Sequence, residues 1–229
     1  MFLPQVAAAK GLVAGSFSVK RKDNSMVEYS IEHEGILIPG VKDIVNIQVS
    51  DARWILVIEK EATFRTLATN QYWRDSLGGK GVLVTAKGYP DIQTRQFLHF
   101  FSQQHPTIPI FALVDFDPDG IGIMSTYKHG SMSLAHETNL TVPWVCWLGV
   151  RSCDFLNTEN EIQGLLNLTA RDRKIALKML AKSVAEDRDD EWKRELQVML
   201  IMNVKAEIQI LGNGDALAQW LDKKLLEAV

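Results

Sequence analysis

The sequence predicts an α/β protein built on a parallel sheet of about four strands, and two observations carry that prediction. Three runs, Trp54 to Ile58, Val82 to Thr85 and Ile110 to Val114, are apolar almost without interruption, as strands covered on both faces are. Helical spacing lies between them: Phe64, Leu67 and Ala68 after the first run, then Ile92, Phe97, Leu98 and Phe101 after the second, with Asp91 as a cap. Strand, helix, strand, helix, strand with apolar strands implies crossover connections and therefore parallel pairing. All such strands end on one rim, where open α/β sheets bind their ligands.

The rest of the chain is placed around that core. Residues 1–50 read as a strand-rich lead-in: Phe17 and Val19 alternate with polar neighbours, Lys20 to Asp23 form a charged hairpin tip, and Gly35 to Gly40 is a short strand entering a turn. The core spans 51–158 and includes a short helical pattern from Ile123 to Lys128 and a further strand from Thr141 to Leu148. Residues 159–229 read as a helical portion packed on the core, all one structural unit. A capping box, Thr169-Ala-Arg-Asp172, opens its first helix; Glu191 to Leu211 is a long amphipathic helix, and Asp215 to Leu226 closes the chain.

Composition removes several classes of function. With 229 residues, 46% of them hydrophobic, the chain can bury one large core. The formal net charge of −3 supplies no global nucleic-acid signature, so any DNA contact must be a local basic groove. Cys146 and Cys153 form no CxxC and no disulfide framework, which fits a reducing compartment. No run of 18 apolar residues occurs, and the short apolar stretch at residues 2–9 is followed by Lys10, not preceded by a basic residue as in a signal peptide. The expected location is intracellular.

Chemistry is expected where the strands end. Asp115, Asp117 and Asp119 follow the third strand with Gly120 closing a turn, and Glu59 ends the first. Two carboxylates about 4 Å apart repel by roughly 4 kcal/mol at an effective dielectric near 20, so such a cluster wants a cation. Carboxylate oxygens are hard ligands that suit Mg²⁺, or Mn²⁺, better than zinc. An EF-hand is excluded because its twelfth position is Thr126 and a strand precedes the loop. A haloacid-dehalogenase type of phosphatase with Asp115 as nucleophile stays open as an alternative, although Asp119 stands where that signature has Thr or Val. There is no Walker motif, no G-x-S-x-G elbow, no zinc spacing among the histidines, and Gly120-Ile-Gly122 lacks the third glycine of a dinucleotide fingerprint.

Longer blocks narrow the choice. V-I-E-K-E-A at Val57–Ala62, T-A-K-G-Y-P-D at Thr85–Asp91 and V-D-F-D-P-D-G at Val114–Gly120 resemble the toprim domain found in the A-type protein of topoisomerase VI and in its eukaryotic relatives, the transesterases that open DNA to start meiotic recombination. W-L-G-V-R at Trp147–Arg151, L-T-x-R-D-R at Leu168–Arg173, E-W-K-R-E-L at Glu191–Leu196 and K-A-E-I-Q at Lys205–Gln209 are similar to that family's C-terminal stretches. The resemblance implies a toprim fold in which Asp115 and Asp117 hold Mg²⁺. Glu59 either joins the coordination or acts as general acid/base at the 3′-oxygen of the scissile phosphate. It makes Lys60, Lys87 and Arg95 candidate DNA contacts, with a salt bridge or a solvated helix face as the other explanation for Lys87 and Arg95. It also implies duplex DNA as substrate, a homodimer, a partner of the B-type GHKL ATPase-like kind, and a nuclear location in a eukaryote or a cytoplasmic one otherwise. The family's nucleophile is a tyrosine in a winged-helix domain, in an Arg-x-x-Tyr-Tyr context that Tyr29, Tyr72, Tyr89 and Tyr127 do not match, so this chain is expected not to cleave DNA alone. Asp119 stands where His or Tyr is common, and Cys153 where proline is. A non-catalytic dimerisation module is the remaining alternative.

Overall fold

The structure, a computed structural model, describes residues 10–31, 34–130, 139–156, 164–186 and 190–228, with side chains in the first of the C-terminal helices described as far as residue 181. Strands β6 (Trp54–Ile58), β7 (Gly81–Thr85), β8 (Ile110–Leu113) and β9 (Cys146–Gly149) pair in parallel in the order β7-β6-β8-β9. Every residue of β6, β7 and β8 is buried, as their apolar runs require. The connections are α1 (Glu61–Thr69) with the short α2 (Tyr72–Asp75), α3 (Ile92–Gln104) and α4 (Pro118–His129). Asp91 caps α3 by accepting the Thr94 N–H at 2.8 Å. From β6 the chain moves to β7 on one side and then crosses to β8 on the other. The strand order therefore reverses between β6 and β8, which opens a crevice at their carboxyl ends.

The lead-in does not stay apart from this sheet. β1 (Leu12–Gly15) pairs antiparallel with β7, and β4 (Ile36–Leu37) with β1, making six strands in the order β4-β1-β7-β6-β8-β9. Between them, β2 (Phe17–Arg21), β3 (Met26–Glu28) and β5 (Ile44–Val49) form a second, antiparallel sheet. The change of sheet occurs at Gly15, whose backbone lies so close to β7 that a Cβ would stand 2.6 Å from the Gly81 carbonyl oxygen. The expected hairpin tip is closed by the Arg21 and Asn24 N–H groups on the Ser25 and Arg21 carbonyls.

Two elements differ from the sequence prediction. The strand expected over Thr141–Leu148 is confined to β9, because residues 142–145 turn, with the Val145 N–H on the Val142 carbonyl at 3.1 Å. The helix expected over Glu191–Leu211 ends early: α6 covers Asp190–Met202, Asn203 takes φ 58°, and the chain then forms β11 (Val204–Ala206) and a 3₁₀ turn at Ile208–Leu211. Pairing outweighs helical periodicity there, since β11 bonds β10 (Leu165–Asn167) and Ala206 bridges Phe116 just beyond β8. Helix α5 (Ala170–Glu186) starts at the predicted capping box, with Thr169 N–H on Asp172 at 2.9 Å and Asp172 N–H on Thr169 at 3.1 Å. The last helix, α7, is Asp215–Ala228.

Candidate metal and nucleic-acid site

The crevice at the strand-order reversal gathers the acids that the sequence marks. Ile58 of β6 sits beside Leu113 of β8, and the next step of the ladder puts the Glu59 N–H on the Leu113 carbonyl at 3.0 Å. Glu59 therefore emerges beside the residues that follow β8, and its Oε2 accepts the Asp115 N–H at 2.9 Å. Asp115 Oδ1 accepts the Ile208 N–H at 2.8 Å, a bond made possible by the β11 bridge. Asp117 caps α4 through its Oδ1 on the Gly120 N–H at 2.7 Å. Gly120 is required there: a Cβ would stand 2.2 Å from the Asp115 carbonyl oxygen.

Electrostatics explains why this cluster calls for a cation. Burial, then the charges of Asp115 and Asp117, push the Glu59 carboxyl up to about 7. Burial also raises the carboxyls of Asp115 and Asp117, the latter further through Asp115 and Asp119. Among the described residues, no three Asp, Glu, His or Cys side chains stand arranged to hold a metal ion together. The reason lies in where the oxygens are committed: each of the three acids gives one to a backbone N–H, and Asp115 Oδ2 faces the Lys60 ammonium at 3.2 Å. Glu59 and Asp117 each keep a second oxygen with no hydrogen bond to a described residue. Oxygen donors with unfilled lone pairs and carboxyls raised by burial and by neighbouring charge have the chemistry that suits a hard divalent cation, and Glu59, Asp115 and Asp117 are the residues that would hold it.

The basic residues sort differently from expectation. Lys60 lies in the crevice, ion-paired with Asp115 and with Glu207 at 2.8 Å; Lys87 pairs with Glu61 at 3.0 Å on a backbone turn whose Gly88 N–H holds the Glu59 carbonyl. Arg95 is a correction. It is 2% exposed, inside α3, and its Nε donates to the Leu140 carbonyl at 2.9 Å, so it is not on a surface that meets phosphate. Two cations that motif reasoning did not single out stand at the rim: Arg171 forks onto Asp119 at 2.6 and 3.3 Å, and Lys205 pairs with Asp172 at 2.8 Å. Both belong to blocks that resemble the family's C-terminal stretches, which was the available signal. Arg171 also resolves the unusual Asp119 by neutralising it. Tyr29, Tyr72 and Tyr127 are buried; exposed Tyr89 lies 3.4 Å from Asp119, and burial and that carboxylate push its hydroxyl up to about 12.

Comparison with known proteins agrees with this geometry. The TOP6A/Spo11 family, described by its Toprim domain, matches residues 54–225. The chain is 35% identical over 208 residues to meiotic recombination protein SPO11-1 of Oryza sativa subsp. indica, covering 90% of this chain and 54% of that protein. It is 36% identical over 228 residues to SPO11-2 of Oryza sativa subsp. japonica, covering 97% and 57%. With SPO11 of Mus musculus it shares 34% over 208 residues, covering 90% and 51%. The chain thus spans about half the length of the curated relatives it matches. Taken with a parallel sheet whose acids meet between β6 and β8, these matches establish that the chain belongs to the family of Spo11 and the A-type protein of topoisomerase 6, and carries its Toprim domain.

Proposed function

We propose that this chain is the metal-binding Toprim portion of a type IIB topoisomerase-like DNA transesterase that makes double-strand breaks through a 5′-phosphotyrosyl intermediate, initiating meiotic recombination in the nucleus. The observation that carries the proposal is the meeting of Glu59 and Asp115 across the strand ends, with Asp117 beside them and the Glu59 carboxyl raised to about 7. The relatives' names supply the meiotic setting.

Bound at these carboxylates, Mg²⁺ or Mn²⁺ supplies charge neutralisation at the scissile phosphate and its 3′-oxygen. The chain's own groups do the rest. Glu59 either joins the coordination or, where it does not, serves as the general acid/base that gives a proton to the leaving 3′-oxygen and takes it back in resealing. Lys60, paired with Asp115, and Arg171, paired with Asp119, together with Lys87 on Glu61 and Lys205 on Asp172, position the DNA backbone. The attacking tyrosine is expected from a winged-helix domain of a second protomer, since none of Tyr29, Tyr72, Tyr89 and Tyr127 stands in the family's Arg-x-x-Tyr-Tyr context. A GHKL ATPase-like protein is the expected partner of that other region. On its own, this chain forms no covalent DNA adduct.

Calorimetric titration of Mn²⁺ into the parent chain, Glu59→Gln and Asp117→Asn tests the site. Both substitutions should weaken binding severalfold, because their carboxylates come from different strand ends but serve one ion. Loss with Asp117→Asn and no change with Glu59→Gln would favour the two-aspartate phosphatase geometry, and hydrolysis of a phosphomonoester would then decide. Duplex DNA binding should weaken steeply with salt, log K falling with log[salt] by about 0.9 for each phosphate neutralised.

A further inference from the structure

Lys60 is held at three points. Its ammonium lies 2.8 Å from Glu207 Oε2, 3.1 Å from Gln209 Oε1 and 3.2 Å from Asp115 Oδ2, one acceptor for each of its N–H donors. The acceptors are not equivalent. The Glu207 side chain is 54% exposed and water can solvate it, whereas that of Asp115 is 10% exposed and depends on a nearby cation. Glu207 and Gln209 lie on the turn after β11 that also donates the Ile208 N–H to Asp115 Oδ1. One short segment therefore orients the Asp115 carboxylate and offers the lysine a second anchor beside it. An ammonium and a divalent ion cannot both sit close against Asp115 Oδ2, because like charges at that range repel and little water is there to screen them.

We infer that Lys60 is the resident counter-ion of the metal-free site: its ammonium neutralises Asp115 until a divalent cation takes that oxygen, and the Glu207–Gln209 turn then keeps the displaced ammonium at the edge of the crevice. The inference rests on the metal reading proposed above. It makes Lys60 a positioning residue that sets cation affinity and retains a positive charge where a phosphate approaches.

Titrating Mn²⁺ by calorimetry into the parent chain, Lys60→Met, Lys205→Met, Glu207→Gln and the Lys60→Met/Glu207→Gln double variant tests this, alongside thermal melts in EDTA. Lys60→Met should tighten binding on the order of tenfold, because the ion no longer displaces a like charge from Asp115, and should lower the melting temperature of the metal-free protein. Lys205→Met removes an equal charge, paired with Asp172 instead of Asp115, and should tighten binding much less. Glu207→Gln should weaken binding by leaving the ammonium only Asp115 to neutralise, and that effect should vanish when Lys60 is already Met. Lys60→Gln, which keeps a polar head without the charge, should give the same ordering if Met is not tolerated. No tightening in Lys60→Met or Lys60→Gln, equal tightening in Lys205→Met, or a Glu207→Gln effect that persists in the double variant each overturns the inference alone. A parent chain that takes up no Mn²⁺, or whose uptake ignores Glu59→Gln and Asp117→Asn, overturns the metal reading and this inference with it.

Discussion

Glu59 carries the strongest consequence of the crevice. Its carboxyl titrates near 7 in the fold against 4.5 for an isolated side chain. Between those values the native state keeps a proton that the unfolded chain has lost, so this residue's contribution is fully present below about 4.5 and disappears as pH rises through 7. Glu59→Gln, which can still accept the Asp115 N–H, should therefore melt above the parent at pH 8 in EDTA and show no such advantage at pH 4. For a chain of this size each kcal/mol recovered is worth about 2–4 °C. An equal difference at both pH values would remove the basis for treating Glu59 as a group held near neutrality. At this scale the sequence was legible where a strand ended in an acid, because parallel pairing forces such residues to one rim. Arg95 was not legible: spacing along α3 places it in the helix, but only the packing of residues 140–141 against α3 shows that its guanidinium faces inward to a carbonyl.

Helix α7 shows how a terminal element is fixed to a core it meets last. Its apolar residues Leu217, Leu221 and Leu225 are buried, and between them Asp222 Oδ1 accepts from Tyr72 Oη at 2.9 Å, Ser76 Oγ at 2.8 Å and the Leu77 N–H at 3.0 Å. Asp222→Ala leaves those donors without their acceptor and should cost roughly 2–3 kcal/mol in urea unfolding, while Asp222→Asn keeps an Oδ1 and should cost less than half of that. Equal losses for the two would mean that charge, not the hydrogen bonds, ties α7 down. The amphipathic pattern of α7 was readable from sequence; its polar anchor was not, since nothing local links Asp222 to a turn some 146 residues earlier. The same limit explains the end of α6. Leu196, Met199 and Leu200 continue a helical stripe, but residues 204–206 find strand partners at 165–167 and Phe116, and long-range pairing of that kind leaves no periodic trace.

Across the whole molecule, lead-in, core and helical portion meet in one hydrophobic centre. One buried cluster runs from Leu12 and Val13 in β1, through β6, β7 and β8, to Leu221 and Leu225 in α7. The boundary expected at 50/51 is bridged by the β1–β7 pairing and by the Ser50 N–H on the Ser16 carbonyl; the one at 158/159 lies outside the described residues. Net charge was equally silent about local arrangement, because a total of −3 conceals Lys60 paired with Asp115 and Arg171 paired with Asp119, besides Lys87 on Glu61 and Lys205 on Asp172. A shared core makes a definite thermodynamic demand: its ends must melt together. Val13→Ala in the lead-in and Leu221→Ala in α7 should each lower a single transition, the leucine by about 2–5 kcal/mol, with tryptophan fluorescence and far-ultraviolet circular dichroism tracing the same curve. A Leu221→Ala chain in which a helical signal is lost first, leaving the Trp54 environment intact to higher temperature, would show that the C-terminal helices fold as a separable layer. In that event the turn carrying Glu207 and Ile208 would loosen from Asp115 before the sheet does, and cation binding would be lost in the same early step.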